Sequence, residues 1–268
     1  MAEVTLRTPI VVCALAAAAL AVACVAPTTS PPPLPIDLGQ TFRPETEPPA
    51  QVFEVTPGAA ERLLACGDGM PAFSPAVLDE PYLTGSEMDD IGAEFNYLVG
   101  GDPLAMYPDG RWRLVSRTES RVVLVGEISE GPWYLQAREA NGQWFVGGGE
   151  CMLRGVVDEG VGSARWWLDP RADPPTTQST SLAVLVEESG CASGRYAMGR
   201  LVAPVVEYTD ESITITTGVR ALPGATCQRN QPTPAVLLLG NAIGDRQLLD
   251  GYFVSPVPAE APAGPPPW

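Results

Sequence analysis

The chain has 268 residues, 32 acidic and 16 basic, for a formal net charge of -16 and a pI near 4.3. All the basic residues are arginine; lysine and histidine are absent. That excludes Ser-His-Asp and Cys-His catalysis, Schiff-base and Walker A lysines, and His-based zinc, copper or haem sites. An acidic surface also argues against nucleic acid as a partner.

Residues 1–23 read as a signal peptide. Met1–Pro9 is a short polar start, and Ile10–Cys24 is apolar and free of charge. That run is short for a spanning helix, which needs about 20 apolar residues. It closes on Ala21-Val22-Ala23-Cys24. A small residue before a cysteine is the pattern of a lipoprotein signal, with Cys24 as the lipid attachment site, although Ala21 stands where leucine is usual. Ala21-Val22-Ala23 is also an A-x-A cleavage site for ordinary secretion, and an uncleaved anchor is the third reading. The lipoprotein reading implies a membrane partner through the lipid on Cys24, at the extracytoplasmic face.

Residues 24–56 are rich in Pro, Thr and Glu and are expected to form an extended tether. Thr56-Pro57 would then open a short helix through Leu63, Leu64 and Cys66, stopped by Gly67. A second helix is expected from Ser86 to about Val99. Ile91, Phe95 and Leu98 share its apolar face, Ser86 and Asp89 suggest a capping box, and Gly100-Gly101 terminates it.

From Arg111 the pattern changes to short strands: Arg111–Arg117, Arg121–Ile128, Trp133–Glu139, Gln143–Val146, Met152–Val157 and Ala164–Leu168. Asn141-Gly142 is a hairpin signal. The expected fold class is therefore an α+β domain over 57–168, with short helices and an antiparallel meander. A Pro-rich linker over 169–180 would lead to a small all-β domain over 181–254. Its strands are Ser181–Glu187, Arg200–Tyr208, Ser212–Val219 and Ala235–Leu239, with a short one near Tyr252–Val254. Residues 255–268 read as a disordered tail.

Cys13 lies inside the apolar leader. Four cysteines remain besides Cys24: Cys66, Cys151, Cys191 and Cys227. An even number in an exported chain argues for two disulfides, and no C-x₂-C pair suggests zinc instead. Three connectivities are open; Cys66–Cys151 with Cys191–Cys227 is preferred. The first pair would pin a helix end to the sheet. The second follows if the opening strands of the last domain run up, down and up, which puts both loops at one end.

Glu188–Arg195, Cys227–Pro234 and Gly244–Gly251 resemble a segment recurring in exported proteins of high-GC Gram-positive bacteria, mostly uncharacterised lipoproteins and membrane proteins. The resemblance covers the last part of the chain. It implies export and a disulfide-bearing β domain, and carries no activity.

No motif names a reaction, cofactor or metal. Glu87, Asp89, Asp90 and Glu94 cluster at a helix start, where the helix dipole alone favours carboxylates. Gly147-Gly148-Gly149 follows a strand and fits a bulge or loop better than a dinucleotide site. Trp112, Trp133, Trp144, Trp166 and Trp167 suit core packing. If Trp166 and Trp167 sit on one strand they face opposite ways, and one could contact a glycan. The function expected is that of a cell-envelope lipoprotein binding an envelope protein, cell-wall glycan or small ligand. The alternatives are a secreted carboxylate-dependent hydrolase and a structural spacer.

Overall fold

A computed structural model describes residues 46–260, apart from 57, 59, 69, 101, 102 and 107. The proposed leader, Cys13, Cys24 and residues 261–268 lie outside the described residues. In chain order the strands are β1 (Gln51–Glu54), β2 (Leu63–Ala65), β3 (Arg111–Thr118), β4 (Arg121–Ile128), β5 (Gly131–Ala140), β6 (Gln143–Glu150), β7 (Arg154–Val156) and β8 (Gly162–Leu168). They continue as β9 (Ser181–Glu188), β10 (Val205–Tyr208), β11 (Ser212–Val219), β12 (Thr233–Leu238), β13 (Gln247–Asp250) and β14 (Val257–Pro258). Among the described residues there is one α-helix, α1 (Gly85–Val99), and 3-10 turns at Pro75–Leu78 and Pro103–Met106. The protein is thus mostly β. No helix among the described residues is long and apolar enough to cross a membrane.

The meander forms as expected: β3, β4, β5 and β6 pair in sequence order, all antiparallel. β4 runs unbroken through Val122, Val123, Leu124 and Val125 because both faces of the meander are covered there. One face presents Trp112, Val122, Leu124 and Leu135 to Ile91 and Phe95 of α1. The other packs Val125 against Leu64, Phe73 and Cys151. α1 begins as a capping box shifted from the expected place. The Thr84 N–H and hydroxyl both donate to the Glu87 carboxylate at 2.7 Å, and Gly100 closes the helix at φ 72°.

The larger sheet runs β1-β12-β9-β8-β11-β13-β14, with β10 added beside β11. β8 and β9 are neighbours in it, so Asp169–Thr180 connects two adjacent strands and is not a boundary between domains. β8 belongs with the C-terminal strands, and the described residues form one compact unit. The tether also ends earlier than expected. β1, inside residues 24–56, pairs in parallel with β12, Val52 beside Val236. The tail begins later: β14 pairs with β13, and the Ala259 N–H donates to the Leu248 carbonyl.

The helix expected after Thr56 does not form. Leu63–Ala65 is extended, pairing with Arg154–Val156 on one side, while Leu64 and Phe73 bond on the other. An isolated helix of about ten residues is marginal in water, and this segment gains more by burying Leu64 between the Phe73 and Arg154–Val156 segments. The Gly147–Gly149 triplet, expected as a bulge or loop, continues β6 to Glu150 in unbroken register with β5. Arg200–Val202 is not part of a strand run with β10; it turns over Ala197, and Leu201 only bridges to Val219. Tyr252–Val254 holds a single bridge, Phe253 to Arg154, and the strand precedes it as β13.

Candidate functional site

Both preferred disulfides are formed. Cys66 and Cys151 are bonded with their Cα atoms 4.5 Å apart, and Cys191 and Cys227 at 4.3 Å. Cys66 follows a strand and does not close a helix, so the first bridge joins β2 to the end of β6. The second joins the loop after β9 to the loop after β11. Those strands run the same way, since both are antiparallel to β8, which brings the two loops to one end. Around the second bridge, buried Glu188 accepts two 2.7 Å hydrogen bonds from Arg200. Asn230 donates to the Glu188 and Gly190 carbonyls.

Trp166 and Trp167 face opposite ways on β8, yet neither offers a contact surface: they are 0% and 6% exposed. β8 is an inner strand covered on both sides, so the glycan-contact reading fails for both. The Trp166 indole N–H donates to the Ile215 carbonyl at 2.8 Å, beyond the point where β8 and β11 stop pairing. Trp112, Trp133 and Trp144 pack in or against the core under α1. Of the acidic cluster, Glu87 caps the helix and Glu94 pairs with Arg117 at 2.7 Å.

The acidic residue that stands apart was missed in the sequence. Asp250 ends β13 and is 1% exposed. It accepts a hydrogen bond from the Tyr252 N–H at 3.0 Å and lies 3.8 Å from the Arg165 guanidinium, which sits over the Phe253 ring. Burial outweighs these partners and raises its carboxyl from 3.8 to about 6. Nearby, buried Arg62 donates to the Gly251, Phe253 and Val254 carbonyls and pairs with Glu207. It ties the segment before β2 to the one after β13. No local pattern marks either residue, because their partners are distant in the chain.

A carboxyl with a raised value in the folded state holds a proton that the unfolded chain has released between about pH 4 and 6. Its stabilising effect is complete below the unfolded value and lost as pH rises through about 6. The difference amounts to roughly 3 kcal/mol. Asp250→Asn is expected to remove that decline and to raise stability above pH 7 by about 1–3 kcal/mol. Urea unfolding across pH 4–8 checks this; a wild-type slope retained in the variant would assign the proton elsewhere.

A surface depression of about 490 Å³ lies between the end of β1, the β7–β8 turn and the approach to β10. Three of its lining side chains pack tightly over Gly218: a Cβ there would come within 2.7 Å of both Val157 and Val161 and 3.2 Å of Val202. Glu54, Asp158 and Arg220 also line it. The volume falls within the range of small-molecule sites, and an apolar floor beside a few charged groups suits a ligand with an apolar body and a polar end. Among the described residues no acidic or cysteine group is placed to hold a metal ion. The chain matches no protein family, no curated protein and no solved structure.

Proposed function

We propose that this chain is a lipid-anchored binding protein on the extracytoplasmic side of a cell envelope. The observation that carries the reading is the cysteine pairing. Two disulfides imply an oxidising compartment, and they use Cys66, Cys151, Cys191 and Cys227. That leaves Cys13 inside the charge-free Ile10–Ala23 run and Cys24 directly behind it, after Ala21-Val22-Ala23, and a diacylglycerol thioether is the use that the position of Cys24 suits. With a net charge of -16 the chain is repelled by anionic headgroups, so a lipid would supply the anchoring. The Val157, Val161 and Val202 depression is the surface we assign to a ligand. The reading is of a binder because the depression sets the apolar side chains of Val157, Val161 and Val202 beside the charged groups of Glu54, Asp158 and Arg220.

The test is intact mass of the full chain extracted from membranes, beside Cys24→Ala. The native protein should begin at Cys24, carry a diacylglycerol adduct and partition with membranes; the variant should move to the soluble fraction. An unmodified Cys24, or an unchanged distribution of the variant, would sink the anchored reading.

A further inference from the structure

β6 is an outer strand of the meander, paired with β5 alone. The Cys151 N–H donates to the Pro132 carbonyl just beyond its end, which fixes the alternation of the ladder. Phe145, Gly147 and Gly149 exchange hydrogen bonds with β5, while Trp144, Val146 and Gly148 turn theirs outward. Among the described residues no backbone group bonds to that outward row. Phe145 and Val146, on opposite faces, are 47% and 39% exposed. From Gln143 to Gly149 there is no charge and no proline, and the pairing with β5 has no bulge.

Other edges are blunted in the ways that prevent strand addition. β1 is four residues long, follows Pro48-Pro49 and ends in Glu54. β14 is two residues, one of them Pro258. β3 carries Arg111, Arg113 and Arg117, has an irregularity between Leu114 and Ser116, and its Trp112 carbonyl already accepts the Leu83 N–H.

We infer that β6 pairs with β6 of a second copy of this chain, antiparallel about a two-fold axis through Val146. Antiparallel pairing requires opposed residues to turn their backbone groups the same way, so even positions face even and odd face odd. With Val146 on the axis, Trp144 faces Gly148 of the other copy and Phe145 faces Gly147, and the reverse. The strand is large in its first half and bare in its second, so an inverted copy is its own complement. About six backbone hydrogen bonds form across the axis. The -16 charge of each copy opposes association, and β6 is a place where two copies meet without opposing like charges. Higher salt therefore tightens the dimer. One strand pair buries less than the roughly 1,200–2,000 Å² of a stable complex, so the dimer is weak, in the micromolar to millimolar range. This interface is independent of whether Cys24 is lipidated.

The test is sedimentation velocity of the full chain over about three decades of concentration, at low and high salt, beside Val146→Arg, which sets two arginines against each other on the axis. In a background carrying C13S and C24S, Val146→Cys and Phe145→Cys are then oxidised and compared. Residue 146 meets its own copy at a Cα separation of about 5.5 Å, within disulfide reach, and residue 145 does not. The expected result is a dimer favoured by salt, lost in V146R at an unchanged monomer melting temperature, and locked covalently by V146C alone. A monomer at every concentration would overturn the inference and leave the edge to a strand of another protein. So would a dimer indifferent to V146R, or equal cross-linking through F145C.

Discussion

Removing the Cys66–Cys151 bridge by a double substitution to alanine is expected to lower stability by about 4–5 kcal/mol. The bridge spans 85 residues, and loop-closure entropy alone gives a value of that size. Its position adds to the effect. Cys151 is buried against Leu64, Phe73 and Val125, so the bridge fastens β2 across one face of the meander. The Cys191–Cys227 bridge spans 36 residues and lies at the surface end of two loops; its loss is expected to cost less, about 3–4 kcal/mol. Denaturant unfolding of both double variants gives the comparison. If the second bridge mattered more, β2 would not be the fastening that the packing indicates.

Gly155→Ala is expected to cost more than about 3 kcal/mol, well above an ordinary glycine-to-alanine change. A Cβ on Gly155 would stand 1.8 Å from the Gly251 carbonyl oxygen. The obstacle is backbone and cannot swing aside. Gly251 has no room to retreat either, because its own Cβ would fall 2.1 Å from the Thr216 hydroxyl. These two glycines let β7 cross the β11–β13 region closely enough for the Gly155 N–H to reach the Tyr252 carbonyl at 2.7 Å. Gly147→Ala is the control, since only the end of Gln136 comes as near as 4.0 Å. Thermal melting of the two variants at low protein concentration should separate them widely. Equal melting temperatures would refute the close crossing.

What could be read from the sequence was the local part of the fold. The meander strands are short runs rich in Val, Leu, Trp and Tyr, Asn141-Gly142 marks the β5–β6 hairpin, and α1 has both an apolar stripe and a glycine stop. The cysteine pairing followed from topology once Ser181–Glu187 and Ser212–Val219 were placed as strands. The misread segments are those whose structure is imposed from far away. Leu63–Ala65 carries helix formers and became a strand because Arg154–Val156 and Phe73 lie on either side of it. Gln51–Glu54 looked like the end of a Pro-rich spacer, and only β12 makes it a strand. Asp169–Thr180 has the composition of a linker between domains, yet the sheet is continuous across it. Adjacent tryptophans on one strand must face opposite ways, as Trp166 and Trp167 do; nothing local says that both faces are covered. Asp250 and Arg62 acquire their roles from partners that are distant in the chain and invisible to any spacing rule.

The pairing of β1 with β12 bears on the order in which the molecule assembles. The first strand of the described chain cannot find its place until nearly all the rest has been synthesised and β12 has docked on β9. The meander, by contrast, joins neighbours through tight turns and can zip locally. Chains dominated by such distant pairings fold in milliseconds to seconds, slower than those rich in local contacts. The meander should therefore form early and wait, its outer strand already complete, while the larger sheet is still open. Pulse-labelled hydrogen exchange would show protection of Arg121–Ala140 ahead of Gln51–Glu54.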